Sequence, residues 1–181
     1  MKGIVFTEFL EMVEKEFGYE VLDRITSLPT LSSSGGYTAV GNYPHKEMLA
    51  MLDELNAAVG IPHNELIFTF GRSLLRTFSQ GHSEFFKDIP NALDFLNGIE
   101  SVIHTEVRKL YTDAVLPRFE CERPHEKCLI MHYSSGRPFA DLADGLIQES
   151  IAHFGDEVEV IREDGPTGDG HSAKFTLRMI G

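Results

Sequence analysis

Tryptophan is absent from this 181-residue chain, and cysteine occurs only twice, at Cys121 and Cys128. Two thiols are too few, and too far apart, to make a zinc site on their own. If Pro124-His125 tops a hairpin, they sit opposite one another as a reduced cross-strand pair in a reducing compartment. Positive charge is also scarce. Sixteen Lys and Arg stand against 28 Asp and Glu, a net charge of −12, which excludes nucleic acid and anionic lipid as main partners. No run approaches the ~18 uninterrupted apolar residues of a membrane span, and Glu8 and Glu11 interrupt the apolar N-terminus, so it does not read as a signal peptide. A cytoplasmic protein is expected.

What the chain has instead is phenylalanine, thirteen in all, within a composition that is 42% hydrophobic. That suits a thick core or an apolar ligand cavity. Residues up to about 112 read as helices. Ile4, Phe6, Phe9, Leu10, Val13 and Phe17 form a helical stripe; Met48, Leu49, Leu52, Leu55 and Val59 form another, and Leu66, Phe70, Leu74 and Phe78 recur at a spacing of four. Asn91 to Tyr111 reads as the strongest helix, with Leu93, Leu96, Ile99, Ile103, Val107 and Leu110 as its apolar face. After Leu116-Pro117 the pattern changes to a hairpin (118–122 and 127–133), a helix (139–154) and two strands (157–161 and 174–180). The expectation is an α+β fold: a helical front, residues 1–65, and a back, residues 66–181, carrying an antiparallel four-stranded sheet packed with helices. The Gly165-to-Gly170 stretch lacks the Lys-Ser/Thr of a phosphate loop and precedes a strand, so it reads as a hairpin turn.

Two places carry chemistry. Tyr133-Ser134-Ser135-Gly136-Arg137 puts a phenol, a hydroxyl and a guanidinium at alternate positions of a strand end, hence on one side, over about 13 Å. Such a patch suits an anion with two separated carboxylates, because an arginine fork grips a carboxylate in two parallel bonds. His104 lies mid-helix beside Ile103 and Val107, with no cap or turn to explain it. A lone histidine there is either a core residue with one hydrogen bond or an imidazole holding haem iron. The haem reading joins the two places: His104 as axial ligand, the Phe- and Leu-rich helices as the slot, and the triplet as a clamp for the propionates.

These residues resemble the haem nitric oxide/oxygen binding domains, the H-NOX family related to the haem domain of soluble guanylate cyclase, in its stand-alone bacterial form. The resemblance rests on Tyr133-x-Ser135-x-Arg137 and extends to Met1-Lys2-Gly3-Ile4, to the helix from Ile103-His104 to Leu110-Tyr111, to Leu116-Pro117 and to Gly145-Leu146. It implies haem b with His104 as the iron ligand, Tyr133, Ser135 and Arg137 on the propionates, and Pro117 pressing on the porphyrin. The distal pocket would be lined by Val5, Phe9, Leu74, Phe78, Leu142 and Leu146. Oxygen-holding members carry a tyrosine at the position of Leu142 and polar support at those of Leu74 and Phe9; here all three are apolar.

That departure has a physical meaning. Dioxygen on ferrous haem draws negative charge onto itself, so a buried donor stabilises it by ~1.5–3 kcal/mol. Nitric oxide carries little charge and needs no donor. The resemblance therefore implies a sensor of nitric oxide, also able to bind carbon monoxide, that signals by release of His104 and is not an enzyme. Zinc, present near the C-terminus of some members, is not expected, because no cysteine follows Cys128. With the sequence ending at Gly181, output is expected in trans, to a histidine kinase or to a cyclic-di-GMP synthase or phosphodiesterase. Three other readings stay open: an oxygen-binding or redox-sensing haem protein, a hydrolase using Ser135 with His132 or His153, and a haem-free binding module in which His104 is a core residue.

Overall fold

A computed structural model describes residues 1–180. Four helices come first: α1 (Gly3–Phe17), α2 (Tyr19–Thr26), α3 (His45–Val59) and α4 (His63–Gly81). Their apolar stripes close a front core in which Phe6, Phe9, Val13, Met48, Met51, Leu52, Leu55, Leu66 and Phe70 are buried. The loop between α2 and α3 is pinned to this core. Tyr37 stacks on Phe6 at 4.5 Å, and Glu47 of α3 accepts hydroxyl hydrogen bonds from Ser32, Ser33 and Tyr37 at 2.5, 2.6 and 2.7 Å.

The back begins with α5 (Ala92–Asn97), a π-helical turn (Ile99–Ile103) and α6 (His104–Leu110). Then come strands β1 (Arg118–His125) and β2 (Cys128–Ser134), helix α7 (Ala140–Phe154), and strands β3 (Val158–Asp164) and β4 (Ser172–Met179). The sheet is antiparallel throughout, in the order β1-β2-β4-β3. Because side chains alternate along a strand, Phe119, Leu129, Met131, Tyr133, Ala173, Phe175 and Leu177 share the buried face and pack with Leu93 and Phe95 of α5 and with Ala143, Ile147 and Ile151 of α7. Helix α7 ends at Gly155, whose positive φ of 70° closes the helix in the left-handed region that glycine tolerates. Helix α4 serves both cores, giving Leu66, Ile67 and Phe70 to the front and Leu75 to the back. The expected α+β architecture and four-stranded antiparallel sheet are present.

Two local expectations fail. Residues 91–111 do not form one helix: the chain breaks after Asn97 and continues as the π-helical turn before regaining α geometry at His104. A residue inserted into the hydrogen-bond ladder rotates everything after it by about 100°. Leu93 and Leu96 stay in the back core, with Ile99 and Ile103 packed against it, but the end of the stripe is turned away and Leu110 is 69% exposed. The thiols do not face each other either. The hairpin turns at Glu126-Lys127, after the His125↔Cys128 pair, so Cys121 stands opposite Met131. Both cysteines are free.

Candidate functional site

The π-helical turn sets the site's first residue. By ending at Ile103 it places His104 at the start of α6 and turned inward, 9% exposed on a segment whose neighbours Val102 and Thr105 face outward. The imidazole Nδ1 lies 2.9 Å from Glu100 Oε2, one turn earlier. Burial holds His104 below the ordinary histidine range, against the opposing pull of Glu100. Burial also pushes the Glu100 carboxyl upward, but hydrogen bonds from Arg108, His104 and the Phe119 backbone overcome it and leave the group below its ordinary value. The contact is therefore a neutral imidazole donating Nδ1–H to a carboxylate. Nε2 has no hydrogen-bond partner among the described residues, and neutral imidazole with one free nitrogen is the form that binds a metal.

An aromatic path joins this imidazole to the second part of the site. The His104 ring lies 5.9 Å from Phe119, and Phe119 lies 5.4 Å from Tyr133, its register partner across β1 and β2. Tyr133 is buried, and burial raises its phenol above the ordinary value, opposed by hydrogen bonding to the Ser135 hydroxyl and the Phe139 backbone. Ser134 points outward, as alternation requires.

The strand ends there, however. Ser135 keeps one strand-like bond, its N–H donating to the His171 carbonyl at 2.9 Å, and its hydroxyl then accepts from the Arg137 N–H at 3.1 Å. The Tyr133, Ser135 and Arg137 triplet is thus one strand residue and a tight turn, held from the far side by His171, whose Nδ1 sits 2.9 Å from the Ser135 carbonyl.

Arg137 is electrically unusual. Its guanidinium donates to the Val115 carbonyl at 2.9 Å, yet among the described residues it is the one arginine without a carboxylate partner: the other eight all make ion pairs. In a protein of net charge −12 that is not for want of acids. The charge of Arg137 is felt by the cationic groups nearby. Burial, then Arg137 and Lys2, lowers the Met1 ammonium, and burial followed by Arg137 lowers His45.

The residues expected on the distal side fall along the seam between the two cores. Val5 and Leu142 line one small apolar gap of about 10 Å³ together with Met1, Met48, Leu52, Ile67, Phe70 and Phe139. Phe9 is fully buried on the front side, edge-on to Phe70 at 5.3 Å. Leu74 packs against the front core, and Phe78 and Leu146 against the back. Pro117 is half-buried in the connection that leads from α6 into β1. Among the described residues no three His, Cys, Asp or Glu side chains gather as a metal site. No helix among them is long and apolar enough to cross a membrane.

Residues 2–162 match the profile of the Haem-NO-binding family. The chain belongs to that family. The H-NOX protein of K. algicida, in its unliganded Fe(II) form, is 35% identical and superposes with a TM-score of 0.93 over 100% of this chain and 97% of that one. The H-NOX of Shewanella woodyi, solved with IWP-051 bound in the Fe(II)CO state, is 36% identical with a TM-score of 0.83 over 99% and 94% of the two chains. Soluble guanylate cyclase gcy-35 of Caenorhabditis elegans is 21% identical over 166 residues; this chain spans 90% of its own length there but only 24% of the cyclase. H-NOX domains bind haem and act as gas-sensing domains in signal transduction.

Glu100 is the residue that the sequence reading passed over. Its signal was present as a carboxylate four residues before the histidine, the spacing that puts two side chains together on a helix. The Phe119 contact had no such sign, because it depends on the register of β1.

Proposed function

We propose that this H-NOX domain is a ferrous haem sensor selective for nitric oxide, with His104 as the iron ligand and Tyr133, Ser135 and Arg137 as the propionate clamp. The observation that carries the reading is that Phe119 joins the buried imidazole of His104 to Tyr133, at the strand end whose Arg137 is, among the described residues, the one arginine without a carboxylate partner. The residues fit the group: one free imidazole nitrogen, a guanidinium and two hydroxyl donors for carboxylates, and apolar side chains at the seam. Haem b supplies, when bound, an iron with one coordination position open to a small gas.

The protein's own residues do the rest. Glu100 keeps the proton on Nδ1 and so presents Nε2. Arg137 neutralises carboxylate charge at the edge of the site. Val5, Phe9, Leu74, Phe78, Leu142 and Leu146 supply no hydrogen-bond donor, which forgoes ~1.5–3 kcal/mol of stabilisation for oxygen and leaves nitric oxide unaffected. Release of His104 would free α6 and the Pro117 connection, a two-state element biased by the ligand. Output would pass in trans to a histidine kinase or a cyclic-di-GMP synthase or phosphodiesterase, in the cytoplasm.

The absorption spectrum of purified protein, reduced under argon and then given carbon monoxide, nitric oxide or air, tests this. A five-coordinate nitrosyl spectrum with no oxy spectrum in air is expected. Protein that is colourless and takes up no added haem would end the reading. A stable oxy spectrum in air would favour the oxygen-binding alternative.

A further inference from the structure

We infer that Glu100 is the positioning residue for the His104 imidazole and sets how strongly that ring donates to iron, with Arg108 as its counterweight. The inference rests on the haem reading of His104. Three donors from two elements, α6 and β1, converge on the one carboxylate. Oε2 accepts from His104 Nδ1 at 2.9 Å and from the Phe119 N–H at 3.3 Å, while Oε1 accepts from Arg108 Nη2 at 2.9 Å. The π-helical turn, α6 and the first residues of β1 are therefore tied to a single side chain.

Two consequences follow from elementary chemistry. The first is geometric: a carboxylate can only accept, so Nδ1 must carry the proton, and the lone pair falls to Nε2 on the other side of the ring. With the carboxylate itself held by Phe119 and Arg108, ring rotation costs a charge-assisted bond. The second is electronic. An imidazole that donates to a carboxylate gains imidazolate character and becomes a stronger ligand, which strengthens the metal–nitrogen bond and lowers the reduction potential of the metal. Arg108 and the Phe119 N–H draw charge off the same carboxylate and temper that gain. Glu100 and Arg108 therefore push the iron–histidine bond in opposite directions. A ligand that works by breaking this bond meets a resistance set by their balance.

The test uses haem-loaded full-length protein and reads the ferrous iron–histidine stretching frequency by resonance Raman and the haem reduction potential. Glu100→Gln keeps the size and removes the charge. Its stretching frequency should fall and its potential should rise. Arg108→Ala leaves the acceptor and removes the counterweight, and should move both in the opposite sense. Glu100→Asp should lie between wild type and Glu100→Gln. If Glu100→Gln fails to hold haem, Arg108→Ala alone decides by the sign of its shift. Unchanged values in both variants, or shifts in the same direction as mere loosening of α6 would give, overturn the inference while leaving the haem reading intact. Wild-type protein that takes up no haem overturns both.

Discussion

Gly71 of α4 and Gly145 of α7 meet where the two helices cross, so closely that a Cβ on Gly145 would lie 2.1 Å from the Phe68 carbonyl oxygen and one on Gly71 would lie 2.3 Å from that of Leu142. Backbone atoms cannot swing aside as side chains can. The crossing is also latched by charge: Glu149 of α7 accepts from Arg76 at 2.6 and 2.9 Å and from Arg72 at 2.8 Å. Since α4 belongs to both cores, this contact fixes the front against the back. Gly145→Ala should force the helices apart and cost about 1–3 kcal/mol, read as a lowered urea midpoint. Gly81→Ala, where the new methyl meets nothing within 4 Å, should cost nothing. Equal effects from both would deny the crossing its role.

His104→Gly removes the imidazole proposed as the iron ligand. Haem uptake should be lost and then restored by added imidazole, measured by absorption in the ferrous state. An unaltered ferrous spectrum without imidazole would place the iron ligand elsewhere.

For the clamp, alternation at Tyr133 and Ser134 gives a paired comparison. Arg137→Ala should weaken haem retention about tenfold or more, the loss of one charge-assisted carboxylate contact, in a transfer assay to apomyoglobin. Ser134→Ala, pointing outward, should leave retention unchanged. Similar losses from the two would remove Arg137 from the role proposed for it.

Acid should weaken the front core through Glu47. Burial pushes its carboxyl upward, but hydrogen bonds from Ser32, Ser33 and Tyr37 more than offset this and hold it below its ordinary value. A depressed folded value means the carboxylate contributes stability above the unfolded value, and that contribution is lost as pH falls through the folded one. Asp144 works the other way, since burial raises its carboxyl and favours the protonated form. Stability followed by urea unfolding should therefore decline below about pH 4.5 with a slope that Glu47→Gln reduces. At neutral pH the same substitution should cost about 1–3 kcal/mol, because the amide cannot accept all three hydroxyl bonds. An unchanged slope would mean that the acid sensitivity lies at other carboxylates.

The parts of this protein that were legible in sequence are those governed by short-range periodicity. The stripes of α1, α3 and α4, the alternation through Tyr133, and the β-β-α-β-β order all follow from which side chains must face inward. What periodicity could not show is where a helix changes its winding. Residues 91–111 keep a helical spacing of apolar residues through a break, so the sequence reads as one helix while the backbone inserts a wider turn at Ile99–Ile103. The site depends on that turn. It aims His104 inward, which cannot be counted from spacing alone, whereas the i, i+4 spacing of Glu100 and His104 was open to view. The hairpin shows the same limit. Pro124 invites a turn one pair too early, and the irregular register between Glu122 and His125 moves Cys121 away from Cys128. Arg137 was visible as a cation, but its lack of an acidic partner is a property of the folded surface.

Selectivity should yield to one side chain. Leu142 shares its apolar gap with Val5, Phe70 and Phe139, none of which can donate a hydrogen bond. Leu142→Tyr would bring a phenol to the seam. A buried hydroxyl donating to a negatively charged ligand is worth ~1.5–3 kcal/mol, roughly ten- to a hundredfold in affinity. The reduced variant should therefore show an oxy spectrum in air that the wild type lacks, while its nitric oxide affinity changes little. The added bulk acts against this, since overpacking costs about 1–3 kcal/mol of stability and reaches both ligands alike. Leu142→Phe, with nearly the same bulk and no hydroxyl, separates the two effects. Oxygen binding in Leu142→Tyr but not in Leu142→Phe would assign discrimination to the missing donor. Oxygen binding in both, or in the wild type, would mean that the apolar lining does not set it.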